Sequence, residues 1–193
     1  MKKSVPTRPT VKEIEAALQH ERYKKRYRSV LRSTVYALIT VAAVAVLIAT
    51  LWMPVLQIYG TSMSPTVVDG DIVVSVKASD LKPGDIVAFY YNNKILVKRV
   101  IATSGDWVNL TGDGTVYVNG TELLEPYLEE KAFGDCDIEL PYQVPESRIF
   151  VMGDHRSVSV DSRNTTIGCI AEEQIVGRLV FRLWPIDGFG LLR

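Results

Sequence analysis

Histidine and cysteine are scarce in this chain of 193 residues, which has two of each. No cluster of potential metal ligands surrounds either cysteine, so the sequence predicts no metal and no cofactor. The net charge is zero, because 22 basic residues balance 22 acidic residues. This balance gives no indication of nucleic-acid binding, and we predict no nucleic-acid partner.

The charge is unevenly distributed around one long apolar run. Residues 1–33 contain ten Lys or Arg and only three Glu. In the run from Val35 to Met53, every residue except Thr40 and Thr50 is apolar and none is charged. At about 1.5 Å per residue, a helix of this length nearly spans the roughly 30 Å hydrocarbon core of a bilayer.

We therefore predict one retained transmembrane helix in residues 35–55, preceded by a basic cytoplasmic segment, 1–34. A cleaved signal sequence fits poorly, because the apolar run starts more than thirty residues from the N-terminus. By the positive-inside rule, everything after Pro54 lies outside the cell membrane. The predicted location is the plasma membrane, with a single crossing.

After Pro54 the sequence changes to short runs of Val, Ile, Phe and Tyr separated by Gly, Asn and Asp. This texture predicts an all-β extracytoplasmic domain, 56–193, with a hairpin turn at Asn92-Asn93. The acidic, turn-rich region of about 107–147 is predicted to be an insertion subdomain. The predicted strands are Asp71–Val76, Asp85–Tyr91, Ile95–Ala102, Thr115–Val118, Arg148–Met152 and Ile175–Trp184.

Gly60–Thr66, GTSMSPT, follows the apolar run directly. Gly60 frees the backbone for a tight turn, while Pro65 restricts both itself and Ser64. Ser62 is therefore predicted to lie in a stiff turn, which is either ordinary turn chemistry or the site of a nucleophile. No histidine is near in sequence, so a nucleophilic Ser62 needs another base.

Lys98 is the candidate base. In the predicted strand Ile95–Ala102, alternation places Lys98 among aliphatic residues on one face and Arg99 on the other. Burial disfavours an ammonium and lowers its pKa, which leaves a neutral amine able to accept a hydroxyl proton. The alternative is an edge-strand lysine that reaches water and discourages sheet aggregation.

A polar segment, Gly153–Arg163, follows the predicted strand that ends at Met152. It reads GDHRSVSVDSR and combines two acids, three serines, two arginines and a histidine. We expect its groups to satisfy one another: Asp161 and Arg163 to pair, and Ser159 to offer its hydroxyl to a neighbouring amine. A solvated turn is the alternative for any one of these residues.

Together these motifs resemble the type I signal peptidases, in particular the Gram-positive branch of the bacterial Ser-Lys enzymes. The match runs in order through the apolar run, GTSMSPT, DGDIVV (69–74), the segment 84–106 and GDHRSVSVDSR. The resemblance implies a signal-peptidase-like β-fold with Ser62 as nucleophile and Lys98 as general base. It also implies supporting roles for Ser159, which would orient the lysine amine, for Asp161 and Arg163, and for the more structural Asp154 and Arg156.

The resemblance further implies a membrane-anchored serine endopeptidase that removes signal peptides from exported preproteins at small-x-small sites through an acyl-enzyme. Its partners would be these signal peptides, the lipid bilayer and a nearby protein-export channel. The Ser62 N–H would be one oxyanion donor, and Gly60 stands where some relatives supply a second donor from a serine. Shallow substrate pockets would be lined by Ile58, Met63, Val67, Val73 and Val97.

Other readings stay open at this stage. The main alternative is a catalytically inactive, membrane-tethered binding module of the same fold, although the presence of both Ser62 and Lys98 argues against it. A Ser-His enzyme would use His155 as its base, and a sortase would use Cys169 with His155. Cys136 and Cys169 both lie outside the predicted membrane span, where a disulfide is permitted but not required.

Overall fold

The structure is a computed structural model that describes residues 11–78 and 80–192. The chain divides into two compact units with the boundary between Ile48 and Ala49. The first ten residues of the predicted basic segment, and Arg193, lie outside the described part. Among the described residues there is one α-helix, α1, and the other described residues form strands, turns, bends, loops and short 3₁₀ segments.

Helix α1 spans Val11–Trp52. Its sequence has no Gly or Pro, and Pro54 follows shortly after its end. The stretch Leu18–Leu47 is long and apolar enough to cross a membrane, and none of it is buried against protein. Thr40, a polar residue in this stretch, donates its hydroxyl to the Tyr36 carbonyl at 2.9 Å, which satisfies it within the helix.

Twelve strands are present in residues 11–78 and 80–192, and they form two sheets. The larger sheet has the order β1-β2-β11-β3-β4-β9-β10, with β12 also paired to β11. The smaller sheet has the order β7-β6-β5-β8. All strand pairs are antiparallel. In chain order the strands are β1 Val55–Gln57, β2 Ile72–Val76, β3 Ile86–Tyr91, β4 Lys94–Ala102, β5 Trp107–Leu110, β6 Val116–Val118, β7 Thr121–Glu122, β8 Tyr142–Gln143, β9 Arg148–Met152, β10 Ile170–Ala171, β11 Ile175–Trp184 and β12 Gly190–Leu191.

The two sheets share an apolar core at the ends of β4 and β9. Ile101 and Phe150 from the larger sheet are fully buried in one cluster with Val108 and Val116 from the smaller sheet. A second cluster lies under the turn after β1 and contains Ile58, and a third lies between β3, β9 and β10. The smaller sheet therefore packs against the β4–β9 pair through this cluster.

The predicted fold class is confirmed: the described chain is a mostly β structure with one N-terminal apolar helix. Arg148–Met152 and Ile175–Trp184 have the predicted bounds, and the other four predicted strands differ by one residue at their N-terminal ends. The predicted hairpin is also present, since Asn92 and Asn93 have φ of +44° and +63° between the paired residues Tyr91 and Lys94. The other six strands have two to four residues each, show no clear periodic signal and are not among the predicted strands: β1, β5, β7, β8, β10 and β12.

Candidate active site

Ser62 lies in a tight turn between β1 and β2. Gly60 adopts φ +94°, a conformation that favours glycine, and its N–H donates to Asp69 Oδ1 at 2.7 Å. Ser64 N–H donates to the Thr61 carbonyl at 3.1 Å, which closes the turn around Ser62. The turn predicted from the sequence is therefore present.

Lys98 reaches Ser62 from β4. Its Nζ is hydrogen-bonded to Ser62 Oγ at 2.6 Å, and the residue is only 4% exposed. Burial lowers the pKa of Lys98 from 10.5 to about 8, although Asp161 and Asp154 act to raise it, while Arg163 lowers it further. Lys98 is therefore not a lysine that reaches out to water.

Gly153, the residue after β9, packs against the turn that carries Ser62, residues 60–66, which we call the serine turn. Its N–H donates to Asp161 Oδ2 at 2.9 Å, and its carbonyl accepts from Arg156 Nε at 3.1 Å. A Cβ at this position would overlap Ser159 Oγ and the Ser62 carbonyl oxygen. Only glycine therefore fits here, packed directly against the backbone of Ser62.

Ser159 is 1% exposed, and its Oγ has no hydrogen-bond partner in the described part of the chain. The expected contact between this hydroxyl and a neighbouring amine is thus not formed in this structure. The hydroxyl nevertheless lies close to Gly153, in the same corner as the Ser62 carbonyl.

Three buried arginine–carboxylate pairs surround this corner. Asp161 and Arg163 pair as predicted, with Arg163 Nε donating to Asp161 Oδ1 at 2.8 Å.

The expectation that the segment 153–163 satisfies its own charges is otherwise wrong, because Asp154 and Arg156 have partners elsewhere. Asp154 accepts two hydrogen bonds from Arg99, at 2.9 and 2.7 Å, and Arg156 pairs with Glu125. A forked guanidinium matches a carboxylate in two parallel bonds, which explains why each pair is internally satisfied.

Sequence reasoning missed Arg99, Glu125 and Tyr127. The sequence pattern places Arg99 only on the strand face opposite Lys98, whereas in the structure its guanidinium also packs over the Tyr127 ring at 3.8 Å. Glu125 lies 31 positions before its partner Arg156, in a region without periodic pattern. The one available signal was chemical: a buried arginine requires a carboxylate, and residues 122–130 are rich in glutamate.

Ser62 and Lys98 both line an apolar cleft of about 460 Å³. Of the five residues predicted to form substrate pockets, Ile58, Met63 and Val97 line this cleft. The other two, Val67 and Val73, belong to the same apolar cluster but are fully buried and do not line the cleft. The remaining walls are Leu56, Gln57, Tyr59, Gly60, Lys94, Ile95 and Leu96.

The Ser62 N–H makes no backbone hydrogen bond to another described residue. At Gly60, the position of the second donor in some relatives, no atom lies within 4 Å of where a Cβ would stand. The space for a side chain is present, but the chain supplies no donor there.

The alternative base, His155, and the alternative nucleophile, Cys169, fit the structure poorly. His155 is exposed, and it contacts the site through its backbone N–H, which donates to the Ser62 carbonyl at 3.1 Å. Cys169 is buried, and burial raises the pKa of its thiol to about 11, so it is protonated at neutral pH. Cys136 and Cys169 are both free thiols in the structure.

An all-β domain that follows an apolar helix and pairs a serine hydroxyl with a buried amine defines a membrane-anchored hydrolase of the serine type. Residues 31–184 match the family described as signal peptidase, peptidase S26. The chain is 40% identical over 152 residues to signal peptidase IB of Staphylococcus aureus (strain COL), which covers 68% of this chain and 78% of the relative. It is 35% identical over 181 residues to signal peptidase I of Bacillus amyloliquefaciens, which covers 88% of this chain and 97% of the relative.

A crystal structure of a signal peptidase I from Enterococcus faecalis V583 aligns with a TM-score of 0.45 at 29% identity, covering 52% of this chain and 97% of the other. From the family match and the two curated relatives, this chain belongs to the signal peptidase family, peptidase S26, and is a serine endopeptidase. The resemblance stated from the sequence motifs is confirmed.

Proposed function

We propose that this enzyme removes N-terminal signal peptides from exported preproteins, with Ser62 as nucleophile and Lys98 as general base. The observation that carries the assignment is the 2.6 Å contact between Lys98 Nζ and Ser62 Oγ, made by an amine whose pKa is lowered to about 8. A lysine with this pKa is neutral often enough near neutral pH to accept a proton.

The reaction is an acyl transfer in two halves. Neutral Lys98 accepts the Ser62 proton while Oγ attacks the carbonyl carbon before the cleaved bond, and the Ser62 N–H stabilises the oxyanion. Lys98 then donates its proton to the departing amine, which leaves an ester between the signal peptide and Ser62. In the second half, Lys98 accepts a proton from water and the hydroxide attacks the ester carbonyl. The bond to Oγ then breaks, Lys98 returns the proton to Oγ, and the signal peptide leaves with a free carboxyl group.

Substrate selection follows from the cleft. Its apolar walls at Ile58, Met63 and Val97 suit small side chains at the −1 and −3 positions, the pattern typical of signal-peptide cleavage sites. In this proposal Val67 and Val73 support the cleft from the buried cluster behind it. Supporting roles fall to Ser159, Asp161, Arg163, Asp154 and Arg156, which are all buried in the segment that contacts the Ser62 carbonyl through Gly153 and His155.

The proposed arrangement in the cell follows from the charge asymmetry. The basic N-terminal segment stays in the cytoplasm, and the β domain lies outside the plasma membrane, where signal peptides emerge. Exported preproteins and the bilayer are its partners, and a position near the protein-export channel would present each preprotein while it is still tethered.

Cleavage of a preprotein by the full-length protein in detergent tests the assignment. Ser62→Ala and Lys98→Ala are each expected to lower the rate by more than about 10²-fold, because each removes one half of the nucleophile–base pair. Lys82→Ala is the matched control, since Lys82 is a lysine whose side chain is 70% exposed. Release of the mature protein is measured on gels and by mass spectrometry of the cleaved ends.

Normal cleavage by either site variant would exclude the Ser62–Lys98 mechanism. If the folded wild type and both variants were equally inert on a panel of preproteins with small-x-small sites, the binding-module alternative would replace the peptidase assignment.

A further inference from the structure

We propose that Glu125 and Tyr127, in the segment between β7 and β8, are positioning residues that hold the Ser62–Lys98 pair in its reactive arrangement. The inference deepens the proposed function, because the effect it describes is on the catalysis assigned to that pair. Neither residue touches the nucleophile or the base. Each acts through an arginine.

The first connection runs from Glu125 to the nucleophile. Glu125 accepts from both terminal nitrogens of Arg156, one of these bonds at 3.1 Å from Nη1, and both side chains are fully buried. The third nitrogen of the same guanidinium, Nε, donates to the Gly153 carbonyl. Because Gly153 packs against the Ser62 carbonyl without room for a Cβ, a displaced Arg156 would move the backbone that supports the nucleophile.

The second connection runs from Tyr127 to the base. The Tyr127 ring covers the Arg99 guanidinium at 3.8 Å, and its hydroxyl donates to Glu125 Oε1 at 2.8 Å. Arg99 directly follows Lys98 in β4, and its other bonds go to Asp154, the Gly84 carbonyl and Thr66 Oγ1. Burial and the neighbouring Glu125 raise the pKa of Tyr127 above its usual range, so the phenol remains a donor.

The two connections meet because Gly153 and Asp154 are consecutive and both lie beside the serine turn. Glu125 and Tyr127 thus brace Lys98 and Ser62 from one short segment outside the larger sheet. Lys98 is 4% exposed, so a displacement that admitted water would weaken the desolvation of its amine. The charged groups that act on the Lys98 amine are Asp161, Arg163 and Asp154, and all three lie in the segment Gly153–Arg163.

Two variants with a matched control test the inference. Glu125→Gln removes the carboxylate charge, and Tyr127→Phe removes only the hydroxyl that orients it. We expect kcat per active site to fall about 10²-fold in Glu125→Gln and about tenfold in Tyr127→Phe with KM little changed, because small misplacements of reacting groups slow the chemical step. Glu122→Gln is the control: Glu122 pairs with Lys131 at 3.1 Å in the same subdomain but is half exposed.

The pH profile separates positioning from simple loss of folded protein. In the wild type, the acidic limb of kcat/KM is expected near pH 8, the value for Lys98. If a variant displaces Arg156 or Arg99 and water reaches the Lys98 amine, the desolvation of this amine weakens. The acidic limb then moves to higher pH, towards the pKa of 10.5 of a free lysine. A purely structural role would lower the amount of active enzyme, counted from the burst of first product, and leave the limb in place.

The outcomes are distinct from a failure of the proposed function, which would show as a wild type that does not cleave. The positioning role is supported if the wild type is active and both variants show a lowered kcat per site and an acidic limb shifted to higher pH. Glu122→Gln should show neither change. Wild-type kcat and limb position in folded Tyr127→Phe overturn the positioning role. Should Glu125→Gln not fold, Tyr127→Phe decides the question alone.

Discussion

Lys98 is the residue at which catalysis and stability oppose each other. Its aliphatic stem is buried in a β-sheet, and its amine is removed from water. The difference between a pKa of 10.5 and one of about 8 corresponds to roughly 3 kcal/mol in favour of the neutral amine. At neutral pH, the protonated residue therefore destabilises the fold in which its neutral form acts as a base.

Replacing Lys98 with Met should stabilise the inactive protein, because Met keeps the stem and removes the ionisable group. In the wild type, the folded state binds its proton more weakly than the unfolded state. The penalty is therefore fully present below about pH 8 and disappears as the pH rises to 10.5. Lys98→Met should raise the free energy of unfolding by up to roughly 3 kcal/mol at pH 7.

This gain should vanish near pH 10.5 and above. The measurement is the denaturation midpoint in detergent at pH 7 and at pH 10.5, for wild type and variant. Lys82→Met, at an exposed position, provides the baseline. A gain that is the same at both pH values would indicate better packing of the Met side chain and would contradict desolvation of the Lys98 amine as its cause.

At the scale of elements, the site is the meeting point of two paired strands and one turn. β4 places Lys98 and Arg99 on opposite faces, and Arg99 pairs with Met152 at the end of β9. The chain then enters Gly153, where β9 stops and the backbone turns against Ser62. The end of β9 is therefore in direct contact with the backbone of the nucleophile.

Gly153→Ala should slow the enzyme strongly through the contacts of Gly153 with Ser159 and Ser62. The added methyl would overlap Ser159 Oγ and the Ser62 carbonyl oxygen, so the serine turn must shift, and a displacement of about 1 Å can slow the reaction about 10²-fold. Gly112→Ala is the matched control, because no atom lies within 4 Å of the added carbon and its φ is ordinary. Cleavage rates and thermal midpoints of both variants are compared with wild type.

A Gly153→Ala enzyme with the wild-type rate would show that the 153–163 segment yields without disturbing Ser62. The expected pattern is instead a large loss of rate, accompanied by a smaller loss of stability, with Gly112→Ala unchanged in both.

The elements that the sequence predicted well are those with a local signal. Strand alternation located Lys98 and Arg99 on opposite faces, and the adjacent asparagines located the β3–β4 hairpin. The Asp161–Arg163 pair was found because its members are two positions apart. Contacts across the chain had no such signal. The Glu125–Arg156 pair joins positions 31 apart, and Ser159 was expected to reach an amine that it does not contact.

At the scale of the whole molecule, the chain combines a membrane helix with a domain that has its own core. Every residue of the three apolar clusters lies between Leu56 and Leu192. Pro54, at the start of this domain, accepts from the Ser75 N–H at 3.0 Å. Core formation and the Ser62–Lys98 contact therefore depend on residues that follow the helix.

Removing residues 1–52 should therefore leave peptide cleavage intact and slow the cleavage of membrane-inserted preproteins. We expect the fragment 53–193 to fold and to cleave a short soluble signal-peptide substrate at a rate within about threefold of the full-length enzyme, because all contacts that build the site are retained. On a preprotein inserted in vesicles, the fragment should be slower by about 10² or more, since the helix confines enzyme and substrate to one surface and raises their effective concentration.

The comparison needs both substrates at matched active-site concentration, with the Ser62→Ala fragment as blank. Equal rates on the vesicle-bound preprotein would show that the domain finds its membrane substrate without the helix, and loss of cleavage on the soluble peptide would show that the helix is part of the folded site.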